Sequence, residues 1–250
     1  MYTIILIFRK FENDFHHHLT FKTKFMISFF VICIMNDISK AKIYIKKANA
    51  ILISASNGLS ISEGYNIFAN NEPFQKYFGD FQKKYGVSNI LQGVLGSLPT
   101  DAHDSFIKQL HKYMVDDYQK SPVFQNLKQL IGEKDYFIVT SNADKHFQLN
   151  DFDADKIWEV EGNFFDNQME SEEWEKQKER YQQFIQKYSD QNVIQLELGI
   201  GSRNRLIKYP LMKMVESNSK WFFITLNLPQ EINILNTINE MISLHLFKKF

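Results

Sequence analysis

Cysteine is almost missing from this chain of 250 residues. Cys33 stands alone, so no internal disulfide can form, and a structural zinc site built on two or more thiolates is excluded. Net charge is missing as well. Lys plus Arg number 29 and Asp plus Glu number 29, which leaves no overall field to draw the protein to phosphate backbones or anionic lipid, so nucleic acid and membrane are set aside as partners. The apolar run from Met26 to Met35 is far shorter than the roughly 20 residues of a spanning helix, and no small-residue cleavage site follows it. Neither a Gly-x-Ser-x-Gly elbow nor a Gly-Lys-Ser/Thr phosphate loop occurs, which removes the hydrolase and P-loop readings. His103, His111 and His146 are too scattered for a recognised metal motif, and no metal is expected. A single cysteine fits a reducing interior, and the expected location is cytoplasmic.

What is present is the composition of a folded protein: 44% hydrophobic and 23% charged residues, against disordered or fibrous classes. Residues 1–34 read differently from the rest, as a basic, aromatic stretch containing His16, His17 and His18, three neighbours that do not converge as i and i+4 ligands do. Met35 precedes a helical start with Asp37 or Ser39 as N-cap. Residues 1–34 are therefore expected to be a leader outside the natural protein, with 35–250 as the domain.

From Ala48 the chain runs Ala-Ile-Leu-Ile-Ser-Ala-Ser-Asn-Gly, a buried strand feeding a tight turn. Small side chains at Ser54, Ala55, Ser56 and Gly58 would let backbone amides approach a pyrophosphate. An ordinary strand-to-helix turn fits the same residues, because serine replaces glycine at two positions. Three further apolar strands end in polar tips: Tyr136–Thr140 in Ser141-Asn142-Ala143-Asp144, Val193–Leu198 in Gly199-Ile200-Gly201-Ser202, and Trp221–Leu226 in Asn227. In open parallel sheets ligands bind outside the carboxyl ends of strands, where four such tips would gather. Between the strands, Phe74, Tyr77, Phe78, Phe81 and Tyr85 recur at helical spacing, as do Phe106, Leu110, Tyr113 and Met114, and both stripes are read as core. A helix is expected over 171–188 with Ser171 as N-cap, and an amphipathic helix over 234–250 on Ile238, Met241, Ile242 and Leu246. The fold class is α/β, a Rossmann-like parallel sheet with a small helical insertion at about 66–130.

The order of these tips resembles the sirtuin family, NAD-dependent deacylases and ADP-ribosyltransferases with a Rossmann domain and a smaller helical and zinc module. The likeness runs over residues 38 to 235, on ILISASNGLSISEGY, YFIVTSNADKHF and WFFITLNLPQEI. VIQLELGIGSRNRLIKYP and SEEWEKQKERYQQF are similar to the macrodomain-linked, class M branch of bacteria and fungi, which implies ADP-ribosyl transfer more than deacetylation. The resemblance implies NAD as cofactor, a protein acceptor and a macrodomain-type partner. It places Asn142 at the nicotinamide ribose and Asp144 at the nicotinamide carboxamide. Ala55 and Gly58 match the phosphate loop, Gly201 and Ser202 the loop beneath the adenosine half, and Asn227 the residue near the adenine ribose.

The departures matter equally. Glu161 stands where deacylating sirtuins carry a catalytic histidine and the class M branch a glutamine; a carboxylate there can take a proton or face developing positive charge. Ser54 and Ser56 replace glycines, and the zinc module is missing after Phe165. Two functions follow: a sirtuin-type transferase acting through Asn142, Asp144 and Glu161, or a degenerate, non-catalytic domain that binds NAD, ADP-ribose or a protein.

Overall fold

The computed structural model describes residues 37–232 and 241–245. The chain forms two compact units, residues 1–47 and 48–250. Of the first, the described part is one helix, α1, over residues 37–47. The expected leader, with Cys33 and the three histidines, lies outside the described residues.

The second unit is built on six strands: β1 (Ala50–Ala55), β2 (Asp135–Thr140), β3 (Ile157–Glu159), β4 (Val193–Leu198), β5 (Trp221–Asn227) and β6 (Met241–His245). They form one sheet in the order β3-β2-β1-β4-β5-β6, and all five pairings are parallel. Parallel ladders need long crossovers, and the helices that make them cover both faces of the sheet. Every residue of β1 and β4 is accordingly buried. Ala50 and Leu52 of β1, Phe137 and Val139 of β2, and Phe223 of β5 pack under α8 (Glu172–Lys187) and α9 (Lys208–Glu216) through Phe184, Leu211 and Val215. As expected, Ser171 caps α8, its hydroxyl accepting from Trp174 N.

Between β1 and β2 the chain makes α2 (Asn57–Ser62), α3 (Glu72–Tyr85), α4 (Ile90–Leu95), α5 (Thr100–His111), a π-helical turn at Lys112–Asp116 and α6 (Pro122–Ile131). The aromatic stripes form a second core there: Phe74, Phe78, Phe106, Leu110, Tyr113 and Met114 are buried, with Tyr77, Phe81 and Tyr85 packed against them. One expectation fails. Residues 241–245 form a strand, where a helix was expected over 234–250, because Met241–Leu244 pair in parallel with Phe223–Leu226 and extend the sheet. A run that short carries no decisive period, and its neighbour decides the conformation. No helix among the described residues is long and apolar enough to cross a membrane.

The strand order reverses between β1 and β4, the point at which open parallel sheets place a crevice outside their carboxyl ends. Two glycines meet there. Gly58 N donates to Gly199 O at 3.0 Å, and a Cβ on Gly58 would lie 2.5 Å from that oxygen. Gly199 is itself left-handed at φ +60, with Gly58 C 2.5 Å from where its Cβ would be. Gly86, which ends α3 at φ +72, faces open space. Gly58→Ala is expected to destabilise the domain by on the order of 3 kcal/mol through backbone displacement, against about 1 kcal/mol for Gly86→Ala. Urea unfolding midpoints at unchanged slope check the difference.

Candidate functional site at the strand tips

The tips of β1, β2 and β4 are stitched together by the turns that follow them. Ser56 N donates to Leu198 O at 3.3 Å and Ser141 N to Ala55 O at 3.2 Å, while Ser141 Oγ donates to Ser56 Oγ at 3.0 Å. Ser56, Gly58, Ser141 and Gly199 thus converge. Ser54 and Ala55 do not join them: both lie inside β1, fully buried, and Ser54 Oγ accepts from Gln195 Nε2 at 2.6 Å. The turn begins at Ser56, one residue after the strand, and the amides of Ser56 and Gly58 are engaged by β4 and its loop.

After β2, Thr140 Oγ1 donates to Ala55 O at 3.2 Å and accepts from Asn142 N at 3.0 Å, which fixes the backbone of Asn142. The Asn142 side chain is buried at 4% exposure, yet among the described residues its Oδ1 has no partner. A buried amide oxygen without a donor is costly and marks a position for one. Two residues on, Asp144 is also buried; Oδ1 accepts from His146 N at 3.0 Å and Oδ2 from Ser60 Oγ at 2.6 Å.

Behind Asp144 stands His146, with no solvent exposure. Both ring nitrogens face acceptors: Nδ1 meets Glu63 Oε1 at 2.5 Å and Nε2 meets Met114 O of the π-helical turn at 3.2 Å. The ring stacks on Tyr118 at 4.1 Å and meets Tyr65 edge-on at 4.6 Å. Burial pushes the His146 imidazole down, but the Asp144 charge, the Glu63 bond and charge, and the Met114 carbonyl outweigh it and raise its pKa above the ordinary value. The imidazolium, the form in which both ring nitrogens donate, is thereby favoured. Tyr118 completes the cluster, its hydroxyl donating to Glu63 Oε2 at 2.8 Å and accepting from Asn150 Nδ2 at 2.7 Å. Glu63, Asp144 and His146 offer ligand atoms within 4.8 Å of one another, but every one of those atoms has a partner within the protein, so the ion pairs account for the cluster.

The segment after β3 runs beside the β2 tip. Val160 N donates to Thr140 O at 2.9 Å and Phe164 N to Ala143 O at 3.1 Å, so the backbone carrying Glu161 follows the turn after β2. Among the described residues no hydrogen bond or ion pair engages its carboxylate, and partial desolvation raises its pKa above the ordinary glutamate value.

On the other side of the crevice, Asn227 is turned inward: Nδ2 donates to Ile200 O at 2.6 Å and Oδ1 accepts from Leu228 N at 3.0 Å. It holds the Gly199–Ser202 loop in place. Ser202 N donates to Glu231 Oε2 at 2.8 Å, and that bond lowers the pKa of Glu231. Beneath the loop, Lys208 Nζ donates to Glu197 Oε1 at 2.6 Å with both side chains 1% exposed. Sequence reasoning missed Ser60, Glu63, Tyr118, Glu231 and the role of His146. His146 alone carried a signal, two residues after Asp144.

The fold is that of an α/β protein of Rossmann-like topology with polar strand tips gathered at the carboxyl edge of its sheet. In sequence it is similar to a protein ADP-ribosyltransferase of Staphylococcus aureus, 24% identical over 254 aligned residues, covering 78% of this chain and 79% of the relative. It is also similar to a probable bifunctional ADP-ribose hydrolase/ADP-ribosyltransferase of Fusarium oxysporum, 28% identical over 132 residues, 51% of this chain and 22% of the relative. Solved structures to which it is similar include one on the structural basis of sirtuin substrate affinity, with TM-score 0.49 and 13% identity over 81% of this chain and 91% of that one. Another, on the mechanism and regulation of Sir2 enzymes, has TM-score 0.48 and 10% identity over 83% and 91%. No family model matches the sequence.

The raised His146 pKa has a definite sign. Its stabilisation is full below the unfolded histidine value, about 6.5, and is lost as pH rises through the higher folded value. His146→Gln is expected to cost on the order of 3–5 kcal/mol by leaving Glu63 and Asp144 without their cation. It should also flatten the decline of Tm with rising pH, measured by scanning calorimetry between acid and mildly alkaline buffers.

Proposed function

We propose that this protein is an NAD-dependent transferase of sirtuin type, which cleaves the bond between nicotinamide and ribose and passes ADP-ribose to a protein or to an acyl group on one. The observation that carries this reading is the unpartnered, buried Oδ1 of Asn142 at the carboxyl end of β2. It fits the cofactor's chemistry: an amide oxygen there accepts from a ribose hydroxyl, and its own NH2 can donate to another. The likeness to named ADP-ribosyltransferases supports the same assignment.

NAD, when bound, supplies the ADP-ribosyl group and a leaving nicotinamide. The chain's residues do the rest. Asn142 orients the ribose. Asp144, held from behind by Ser60 and by the backbone of His146, keeps lone pairs free to accept from a carboxamide NH2. Glu161, unpaired, accepts a proton at its carboxylate from the acceptor or a ribose hydroxyl. Ser56, Gly58 and Ser141 bound the phosphate side, and Gly199, Gly201, Ser202 and Asn227 bound the adenosine side. The resemblance of its motifs to the class M branch makes a macrodomain-type protein the expected partner.

A specific observation favours a second reading, a degenerate, non-catalytic domain that binds a protein: the amides of Ser56 and Gly58 are engaged by β4 and its loop, and that of Ser202 by Glu231, so none of the three is free for a phosphate. Calorimetric titration of NAD separates the two; Asn142→Ala is expected to weaken binding about tenfold or more by removing a bond to the cofactor. If catalysis holds, nicotinamide release falls as pH drops through the raised Glu161 pKa, because the base must be ionised. Glu161→Gln then lowers the rate by about 100-fold or more and removes that acid limb. Parental turnover in Glu161→Gln would exclude the base role.

A further inference from the structure

We propose that Glu159 is a positioning residue, an anionic clasp that holds the loop 160–167, and with it Glu161, against the Asn142 tip. The inference rests on the role given to Glu161 above. Glu159 ends β3 and is 2% exposed. Among the described residues no cation pairs with it. Three side-chain amides converge on it instead: Gln148 Nε2 donates to Oε1 at 2.9 Å, and Asn163 Nδ2 and Asn167 Nδ2 donate to Oε2 at 2.8 and 3.0 Å. A buried carboxylate without a counterion is costly, and convergent amide donors are what offset that cost.

These bonds tie together three parts of the protein. Gln148 sits in α7 (His146–Leu149), directly after the Asn142–Asp144 tip. Asn163 and Asn167 belong to the loop, and the Glu159 backbone N donates to Gln177 Oε1 of α8 at 3.0 Å, an oxygen shared with Asn167 Nδ2 at 3.1 Å. The loop then closes on itself. Asn163 Oδ1 accepts from the amides of Phe165 and Asp166 at 2.9 Å each, and Asn163 N donates to Asn167 O at 2.7 Å. Gly162, left-handed at φ +69, passes so close that a Cβ would lie 2.4 Å from Asn167 O. Glu161 is the residue between Val160, bonded to Thr140, and this closed turn. With no bond of its own, its carboxylate takes its direction from the clasp. The stretch holds no cysteine, so the cross-linking that thiolates and a metal could supply comes from one carboxylate and three amides.

The donor pattern makes the idea testable at constant volume. Methionine at 159 keeps the volume close and removes both acceptors, so the amides of Gln148, Asn163 and Asn167 lose their common partner. A carboxamide keeps one acceptor for Asn163 and Asn167, and its NH2 donates to Gln148 once that side chain turns its own oxygen inward, so Glu159→Gln preserves the clasp.

The experiment uses the full chain with NAD as the probe, reading nicotinamide release, NAD affinity by calorimetry and amide hydrogen exchange over Phe165–Asn167. Glu159→Met is expected to lower the release rate about tenfold with NAD Kd within about twofold, since misplacing a reacting group costs rate rather than affinity. Exchange in the loop should accelerate. Glu159→Gln should stay within about threefold of the parent, a rescue by the conservative variant that general destabilisation would not produce. Should Glu159→Met not fold, Gln148→Ala, which deletes one donor, is expected to move rate and exchange in the same direction. Parental turnover in Glu159→Met, or a loss in Glu159→Gln as large as in Glu159→Met, overturns the proposal. If the parent binds NAD but releases no nicotinamide, the transferase reading fails by itself; the clasp is then decided on exchange, and parental protection in Glu159→Met overturns it.

Discussion

Backbone meets backbone where β1 and β4 diverge, and the site is organised around that contact. β1 lies at the centre of the sheet, buried on both faces, so its path admits little adjustment. At its end Gly58 lies against Gly199 with no room for a Cβ on either. Two loops brought that close leave a crevice with a fixed floor, and the tips of β2 and β5 are drawn to its rim by Ser141, Thr140 and Asn227. A side chain at either glycine would separate the two halves of the crevice before disturbing any residue that touches a ligand.

Around this floor the protein buries charge in three places, and each lies behind a loop that must hold its shape. His146, Glu63 and Asp144 back the β2 tip; Lys208 and Glu197 back the adenosine-side loop; Glu159 backs the segment bearing Glu161. Buried ionic groups contribute little net stability, but partly satisfied they are strongly unfavourable, so each permits few arrangements. The contrast with Asn142 and Glu161 is functional. Among the described residues His146, Glu63, Asp144 and Glu159 have their polar side-chain atoms engaged, whereas Asn142 Oδ1 and the Glu161 carboxylate have bonding capacity to offer, as has Glu197 Oε2 beneath the adenosine-side loop.

Legibility in the sequence followed range. The apolar runs of β1, β2, β4 and β5, the Ser171 cap and the aromatic stripes of the helical insertion depend on neighbours a few residues away, and they were readable. Asn142 and Asp144 were readable because the strand that presents them ends beside them. Ser60 and Glu63 were not, since they reach Asp144 and His146 across 84 and 83 residues, and nothing near Ser60 or Glu63 in the chain announces a histidine. Ser54 and Ala55, read with the turn, are the last two residues of β1, because small residues in such a run read equally well as strand end or turn.

The sequence by itself determined the class of sheet, the positions of most strands and helices, the exclusion of thiolate zinc, and the presence of polar tips at four strand ends. Those properties are set by hydrophobic period, local capping and composition. Tertiary structure alone decided which tips meet, that residues 241–245 join the sheet edge as a strand, that His146 lies between two carboxylates, and that Glu159 gathers three amides. Each of these depends on hydrogen-bonding groups whose partners are chosen by the packing of the sheet and its helices, and an unpaired donor or acceptor in the sequence does not say which partner the fold will bring to it.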